Sequence, residues 1–310
     1  MLLDNIETRS PFFIEVLNLV RRVAPTDASI LITGETGAGK DFIAELIHEG
    51  SARRAHPFLK IDCASIPISL AESEFFGYEK GAFSDATESK QGKLQMAQRG
   101  TIYLDGINHL TQGVQSKLLR FVQERSLEPL GSNRTIRVDC RLIASCSLPL
   151  ETSLKEKQLR EDLYYRLAAV LIELPPLRRR MEDLSLLVAE FLQQFNEKYG
   201  KKALLSSEAG SALQSYSWPG NIRELRNVIE NAVIHSDGLI KPGILALHRS
   251  ITQQDSLHFA AEQLCSIEDL ERMYITEVLR RVRGHQGKAA KILGINRKTL
   301  LMKKRKYGLD

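Results

Sequence analysis

No C-x-x-C pair exists among the four cysteines of this chain, Cys63, Cys140, Cys146 and Cys265, and its seven histidines fall without metal-ligand spacing. A metal site is set aside in favour of ordinary buried thiols. No window reaches the ~18 to 20 uninterrupted apolar residues of a membrane span, and the N-terminus MLLDNIETRS lacks both a basic n-region and an apolar h-region. The expectation is a cytoplasmic protein without membrane association. Internal repeats and low-complexity tracts are missing too. With 43% hydrophobic and 26% charged residues in a chain of 310, the collagenous, mucin-like and disordered classes are excluded.

An excess of one charge is found only at the end of the chain. From Ser266 onward, 12 Lys/Arg stand against 5 Asp/Glu, a net of +7, so everything before it carries −2 of the total +5. A local anion partner follows, nucleic acid first, the alternative for a charge run alone being a solvated helix face.

Short apolar, β-rich runs recur between helix-period segments: Ser29 to Thr33, Phe58 to Cys63, Thr101 to Leu104, Arg141 to Ser145 and Val170 to Leu174. Strands alternating with helices predict an α/β domain with a mainly parallel sheet over residues 1–176. After Pro175-Pro176 the strand signals stop. Helical periodicity then runs through Met181 to Phe195, Ser206 to Tyr216 and Asn221 to His235, which predicts an all-α unit over 177–248. Asn221 followed by Glu224 reads as a capping box. The polar stretch 249–265 reads as a linker.

Over 266–310, Ser266 is placed to cap a helix running to Arg283, a second helix spans Gly287 to Leu293, Gly294 turns the chain, and Asn296 caps Arg297 to Lys306. Two short helices across a glycine turn, the second densely basic, form a helix-turn-helix pattern. Asn296, Arg297, Lys298 and Thr299 are then expected at base edges of double-stranded DNA, and Lys303, Arg305 and Lys306 at its phosphates.

Gly34-Glu35-Thr36-Gly37-Ala38-Gly39-Lys40 fits G-x-x-x-x-G-K, between an apolar strand and the amphipathic segment of Phe42, Ile43, Leu46 and Ile47. Glycines let the backbone wrap a phosphate chain while Lys40 reaches its terminal groups. Asp41 stands where the general motif has a Ser or Thr for magnesium. Thr101 to Asp105 is an apolar strand ending in the acid expected to help hold that metal. ATP and Mg2+ are the cofactors implied.

Together these segments resemble, in order and over nearly the whole chain, the bacterial enhancer-binding proteins that activate sigma-54 RNA polymerase. GETGAGKD is similar to the Walker A of their AAA+ P-loop domain, GTIYLDGI to Walker B, LREDLYYRL to the arginine-finger segment and YSWPGNIRELRNVIE to the sensor II helix. ESEFFGYEKGAFSDA resembles the polymerase-contacting loop, and GKAAKILGINRKTL the Fis-type helix-turn-helix. The resemblance implies an AAA+ core followed by a helical lid. It makes Gly34 to Asp41 the phosphate loop, Asp105 the magnesium carboxylate, and Arg160 and Arg166 the fingers reaching a neighbouring subunit's nucleotide. The alternative for each arginine is a surface ion pair, for instance with Glu161 or Asp162. Arg223 becomes the sensor II arginine, and Gly81, Ala82, Phe83, Ser84, Asp85 and Ala86 the polymerase contact. Partners implied are DNA, sigma-54 polymerase and further copies of the chain, as a dimer assembling into a ring.

The departures from that family carry expectations of their own. Gly106 stands where the family has the Walker B glutamate, Asp62 where it has an Asn, and Cys146-Ser147 where it has Thr-Asn. Hydrolysis is therefore expected to be slow or absent unless Asp62, Asn108 or His109 substitutes, and Gly106→Glu to raise turnover. A non-hydrolysing, nucleotide-gated regulator acting without sigma-54 or in a mixed ring is the alternative. Asp85 replaces a glycine of the polymerase loop, and Lys304 a leucine of the recognition helix. Because the chain opens almost at the core, no receiver or sensing domain is expected before it, and control is expected from a partner, expression level or nucleotide.

Overall fold

The computed structural model of the chain describes residues 6–83, 85–147, 149–247, 266–282 and 285–308. They fall into two units, Met1–Leu247 and His248–Asp310. Ser84 and the linker expected at 249–265 lie outside the described residues.

The first unit runs α1 (Pro11–Val23), β1 (Ile30–Thr33), α2 (Lys40–Glu49), β2 (Phe58–Asp62), α3 (Ala71–Phe76), β3 (Gly77–Tyr78), β4 (Lys90–Gln91), α4 (Lys93–Met96) and β5 (Thr101–Asp105). It continues through α5 (Gln112–Glu124), β6 (Ser126–Leu127), β7 (Ile136–Arg137), β8 (Arg141–Cys146), α6 (Leu150–Lys155), α7 (Glu161–Leu167) and β9 (Val170–Glu173). Five strands pair in parallel in the order β2-β5-β8-β1-β9. Alternation along β1 divides the core: Ile30 and Ile32 pack with Leu17, Val20, Ile43 and Ile47, whereas Leu31 packs with Phe75, Leu118, Phe121 and Leu163. Burial on both faces is why the central strands β1, β5 and β8 read as continuous apolar runs. In register, Asp62 lies beside Asp105 and Thr33 beside Cys146, so the strands' carboxyl ends form one edge, where open α/β sheets bind ligands. At the opposite edge the buried Arg141 donates to the carbonyls of Val23 (2.8 Å) and Ala24 (2.7 Å), satisfying the end of α1.

The lid follows as α8 (Leu184–Tyr199), β10 (Leu204–Leu205), α9 (Ser207–Ser215), α10 (Asn221–His235) and β11 (Leu239–Ile240). Its core holds the fully buried Trp218, whose indole N–H donates to the Leu213 carbonyl at 3.0 Å. The lid is helical, as expected, except that β10 and β11 form a parallel pair. Two residues are too few to show a strand period, which also hides the pairs β3–β4 and β6–β7 in the sequence.

The described residues of the second unit form three helices, α11 (Ile267–Arg281), α12 (Gln286–Ile292) and α13 (Arg297–Tyr307). Ser266 accepts from the Asp269 N–H (3.1 Å) and Asn296 from the Thr299 N–H (2.8 Å), so both expected caps form, although the first helix stops at Arg281. Gly294 turns the chain at φ +65°, and Ile275, Val278, Ala289, Ala290, Leu300 and Tyr307 make the small core.

Candidate functional site

Between β1 and α2 the loop Gly34–Gly39 is closed from two sides. The Lys40 ammonium, 6% exposed, donates to the carbonyls of Gly34 (2.8 Å) and Glu35 (3.0 Å). Burial pulls its pKa down, while Asp105 and Asp41 favour the charged form. From the lid, the N–H of Ile222 donates to the Gly37 carbonyl at 3.0 Å. Gly37 has φ +79°, and a Cβ there would lie 2.3 Å from the Gly220 carbonyl oxygen, so only glycine lets α10 come this close.

The capping box read at Asn221 is rearranged. Gly220 is the N-cap, and Glu224 accepts its N–H at 2.8 Å. Asn221, buried at φ +54°, instead accepts from the Leu177 N–H (2.7 Å) and donates to Glu35 and the Thr36 carbonyl (both 3.1 Å). Asn tolerates the left-handed region, which explains the residue type. Two arginines after the Pro-Pro step complete the junction. Arg178 forks onto the Glu35 carboxylate and, with Asn221, holds it below the usual carboxyl range. Arg180, 3% exposed, donates to the Ala38 carbonyl (2.8 Å) and stacks on Phe13; burial lowers its pKa to about 10. In the sequence their only signal is the run Arg178-Arg179-Arg180.

Beneath the loop a chain of oxygens links Asp105, the expected magnesium carboxylate, to Asp41 of the phosphate-loop motif. Tyr103 donates toward Asp41 (3.0 Å) and lies 3.3 Å from Asp105. Ser145 donates to Asp105 (2.6 Å) and accepts from the Gly106 N–H (3.0 Å), and Lys60 pairs with Asp41. In the sequence Tyr103, Ser145 and Lys60 read only as strand residues; a lone polar tip within an apolar strand is their signal. Hard carboxylate and hydroxyl oxygens are the donor set that suits Mg2+.

Gly106 adopts φ +73°, ψ +51°, and a Cβ there would meet His109 Cδ2 at 2.8 Å. A glutamate at this position must take a strained backbone and displace the imidazole. Asn108 is buried with its Oδ1 unpartnered among the described residues, and Asp62 accepts from the Ala64 N–H at 3.0 Å.

The two arginines expected as fingers differ. Arg160 forks onto Asp162 (3.0 and 2.7 Å) and donates to Ser116 (2.9 Å), so the surface ion pair is present. Arg166, on α7, is exposed and makes no side-chain hydrogen bond or ion pair among the described residues. Arg223 is likewise exposed at the start of α10, where its backbone N–H faces the Gly37 carbonyl at 3.4 Å.

After the β3 strand the chain meets the turn between β6 and β7 through Ala82. Glu79 N–H donates to the Leu130 carbonyl (3.0 Å), and a Cβ on Gly131 would lie 2.7 Å from the Ala82 Cβ. Phe83 is 43% exposed with its ring 4.9 Å from that of Tyr78, Ala86 is buried, and Asp85 is exposed.

On α13 the cations separate into two sets. Lys303 pairs with Glu271 (2.6 Å), which also accepts from Tyr307 (2.6 Å), and Lys306 pairs with Glu268 (2.8 Å). The lysines expected on phosphates are thus engaged with α11. Asn296 and Thr299 are turned to each other in the cap. Among the described residues Arg297 reaches only Gln286, at 3.5 Å, and Lys298 and Arg305 are exposed with no ion pair. Lys304 is half-buried with no described acid beside it.

A parallel sheet with a lysine-ended glycine loop, an acid-ended neighbouring strand and a lid closing on the loop defines a nucleotide-binding core of the AAA+ type. The sigma-54 interaction domain model matches residues 6–173, the AAA+ ATPase lid domain 178–262, and the Fis-family bacterial regulatory protein model 266–307. Regulatory protein AtoC of Escherichia coli K12 is 41% identical over 314 residues, covering 99% of this chain and 68% of AtoC. The alginate biosynthesis transcriptional regulatory protein AlgB of Pseudomonas aeruginosa is 41% identical over 317 residues, covering 99% of this chain and 68% of AlgB. NtrX from Brucella abortus, solved in complex with ATP, superposes with a TM-score of 0.73 at 32% identity, over 98% of this chain and 69% of NtrX. The chain belongs to the sigma-54-interacting transcriptional regulators. It is a DNA-binding regulator with a nucleotide-binding AAA+ core. No described helix is long and apolar enough to cross a membrane.

Proposed function

We propose that the chain binds ATP with Mg2+ at the Gly34–Asp41 loop and uses nucleotide occupancy to control contact between Gly81–Ala86 and sigma-54 polymerase at promoters held by its C-terminal unit. The observation that carries this reading is the oxygen chain Asp41–Tyr103–Asp105–Ser145 lying under a loop whose lysine is already buried among its carbonyls. Asp105 and Asp41 are the residues that would hold the ion. Mg2+ there would neutralise phosphate charge. Lys40 and the loop backbone bind the phosphates, and Arg223 approaches them from the lid. Arg166 and Arg160 face the nucleotide of an adjoining copy in a ring, with Arg160 steadied by Asp162. The division of labour is a nucleotide core over 1–176, a lid over 177–248, a linker over 249–265 and a DNA-binding unit over 266–310.

Turnover is slow on this reading, because no carboxylate follows Asp105 and because Gly106 turns left-handed under His109. Calorimetric titration of ATP with and without Mg2+ tests the reading. Binding that strengthens with Mg2+ and disappears in Lys40→Ala supports it, whereas equal affinity of wild type and Lys40→Ala refutes it.

A further inference from the structure

Helix α13 has two faces of opposite character. Leu300 and Tyr307 bury into the small core, and Lys303 lies on the same face, tied to Glu271. These positions recur at the i, i+3, i+7 spacing of one helix face. At helical periodicity the opposite face carries Lys298, Leu301, Met302 and Arg305, with Arg297 at its margin. Two of these are apolar and exposed, Leu301 at 38% and Met302 at 59%. They occupy the middle of the helix, with Arg297 and Lys298 one turn before and Arg305 one turn after.

The cations decide what this apolar pair faces. Acids on α11 neutralise the lysines on the inner and lateral sides, Lys303 and Lys306, and none among the described residues neutralises Lys298 or Arg305. A face that leaves its cations unpaired around an apolar centre suits a polyanion presenting apolar groups between its charges. In the major groove of duplex DNA the apolar group is the 5-methyl of thymine, which aliphatic side chains contact directly. The cap also occupies the acceptor of one polar side chain at the helix start: the Asn296 side-chain oxygen accepts from both the N–H and the hydroxyl of Thr299.

Resting on the reading that the C-terminal unit binds DNA, we propose that Leu301 and Met302 are specificity-determining residues that read thymine methyl groups, while Arg297, Lys298 and Arg305 hold the helix in the groove. Duplexes retained by the full-length wild-type chain from a random library would be rebuilt with each thymine replaced in turn by uracil, which removes only the methyl. Affinity of the wild type falls about fourfold at one or more thymines, the equivalent of one buried methyl. Leu301→Ala or Met302→Ala abolishes that discrimination and leaves the salt dependence unchanged, since no phosphate contact is lost. Both side chains are exposed, so both variants fold, and unchanged thermal melting checks this.

Insensitivity of the wild type to every thymine-to-uracil replacement overturns the proposal, as does discrimination that survives in both alanine variants. A change in sedimentation of the variants with no change in discrimination also overturns it, and assigns the face to contact between copies. Absence of binding to any duplex at low salt is a different result, which removes the DNA-binding reading itself.

Discussion

Two glycine-bearing loops of the first unit, Gly34–Gly39 and Gly81–Ala86, are held in contrasting ways. The first is fixed from the lid by Asn221, Ile222, Arg178 and Arg180, and from its own helix by Lys40. The second meets the rest of the unit through Glu79–Leu130 and the Ala82–Gly131 approach, and leaves Phe83 43% exposed. A loop that must present a fixed set of donors to an anion binds more tightly when those donors are already in place. A loop that delivers an aromatic side chain to a partner keeps that surface outside the core. Substitutions should therefore be felt across the unit when they touch the first loop, and only in partner binding when they touch the second.

The largest expected effect is at Lys40. Lys40→Ala weakens ATP about 100-fold or more, because several charge-assisted bonds are lost together. A residual affinity near wild type, read by calorimetry, would equate the two loops. Next comes Gly106. Gly106→Glu alone takes on about 1–2 kcal/mol of backbone strain and collides with His109. The gain in turnover expected from the sequence therefore emerges fully only in the double variant with His109→Ala, by about 10² or more if a water-activating acid is restored. Equal phosphate release from the single and double variants would show that His109 does not obstruct the site.

Asn221→Ala removes the partner of the Leu177 N–H and its own two bonds to the loop, and costs about 2–3 kcal/mol in urea unfolding. Asn221→Gly relieves the positive φ and recovers only part of that loss. The smallest effect belongs to Glu35. Its carboxyl titrates below the ordinary value of 4.5 because Arg178 and Asn221 favour the anion. The stability this adds is fully present above 4.5 and disappears as pH falls through the lowered folded value. With 41% of the Glu35 side chain and 48% of Arg178 exposed, it amounts to less than about 1 kcal/mol. Glu35→Gln should flatten that part of the pH–stability curve.

What the sequence reveals, and what it hides, follows from how each residue is used. β1, β5 and β8 are legible because burial on both faces leaves uninterrupted apolar runs, and Gly37 and Lys40 because a phosphate loop admits few alternatives. Tyr103 and Ser145 are not, since a strand pattern registers the polarity of a position and not what its hydroxyl meets. Asn221 and Glu224 mark the start of α10 correctly but with the capping roles changed, because the pattern cannot show that the Asn side chain has a better partner in the phosphate loop. On α13 the charges of Lys303 and Lys306 are visible, while Glu268 and Glu271, some 35 residues earlier, become their partners only once the helices pack.

The contrast between a fixed nucleotide loop and an exposed contact loop is tested most directly by measuring the affinity of sigma-54 for the chain with and without ATP and Mg2+, in wild type, Phe83→Ala and Lys40→Ala. Binding is expected to depend on nucleotide, to be lost in Lys40→Ala because ATP is lost, and to be lost in Phe83→Ala while ATP affinity and folding stability stay at wild-type levels. Binding of sigma-54 that is equally tight without nucleotide, or that survives Phe83→Ala unchanged, would contradict the contrast.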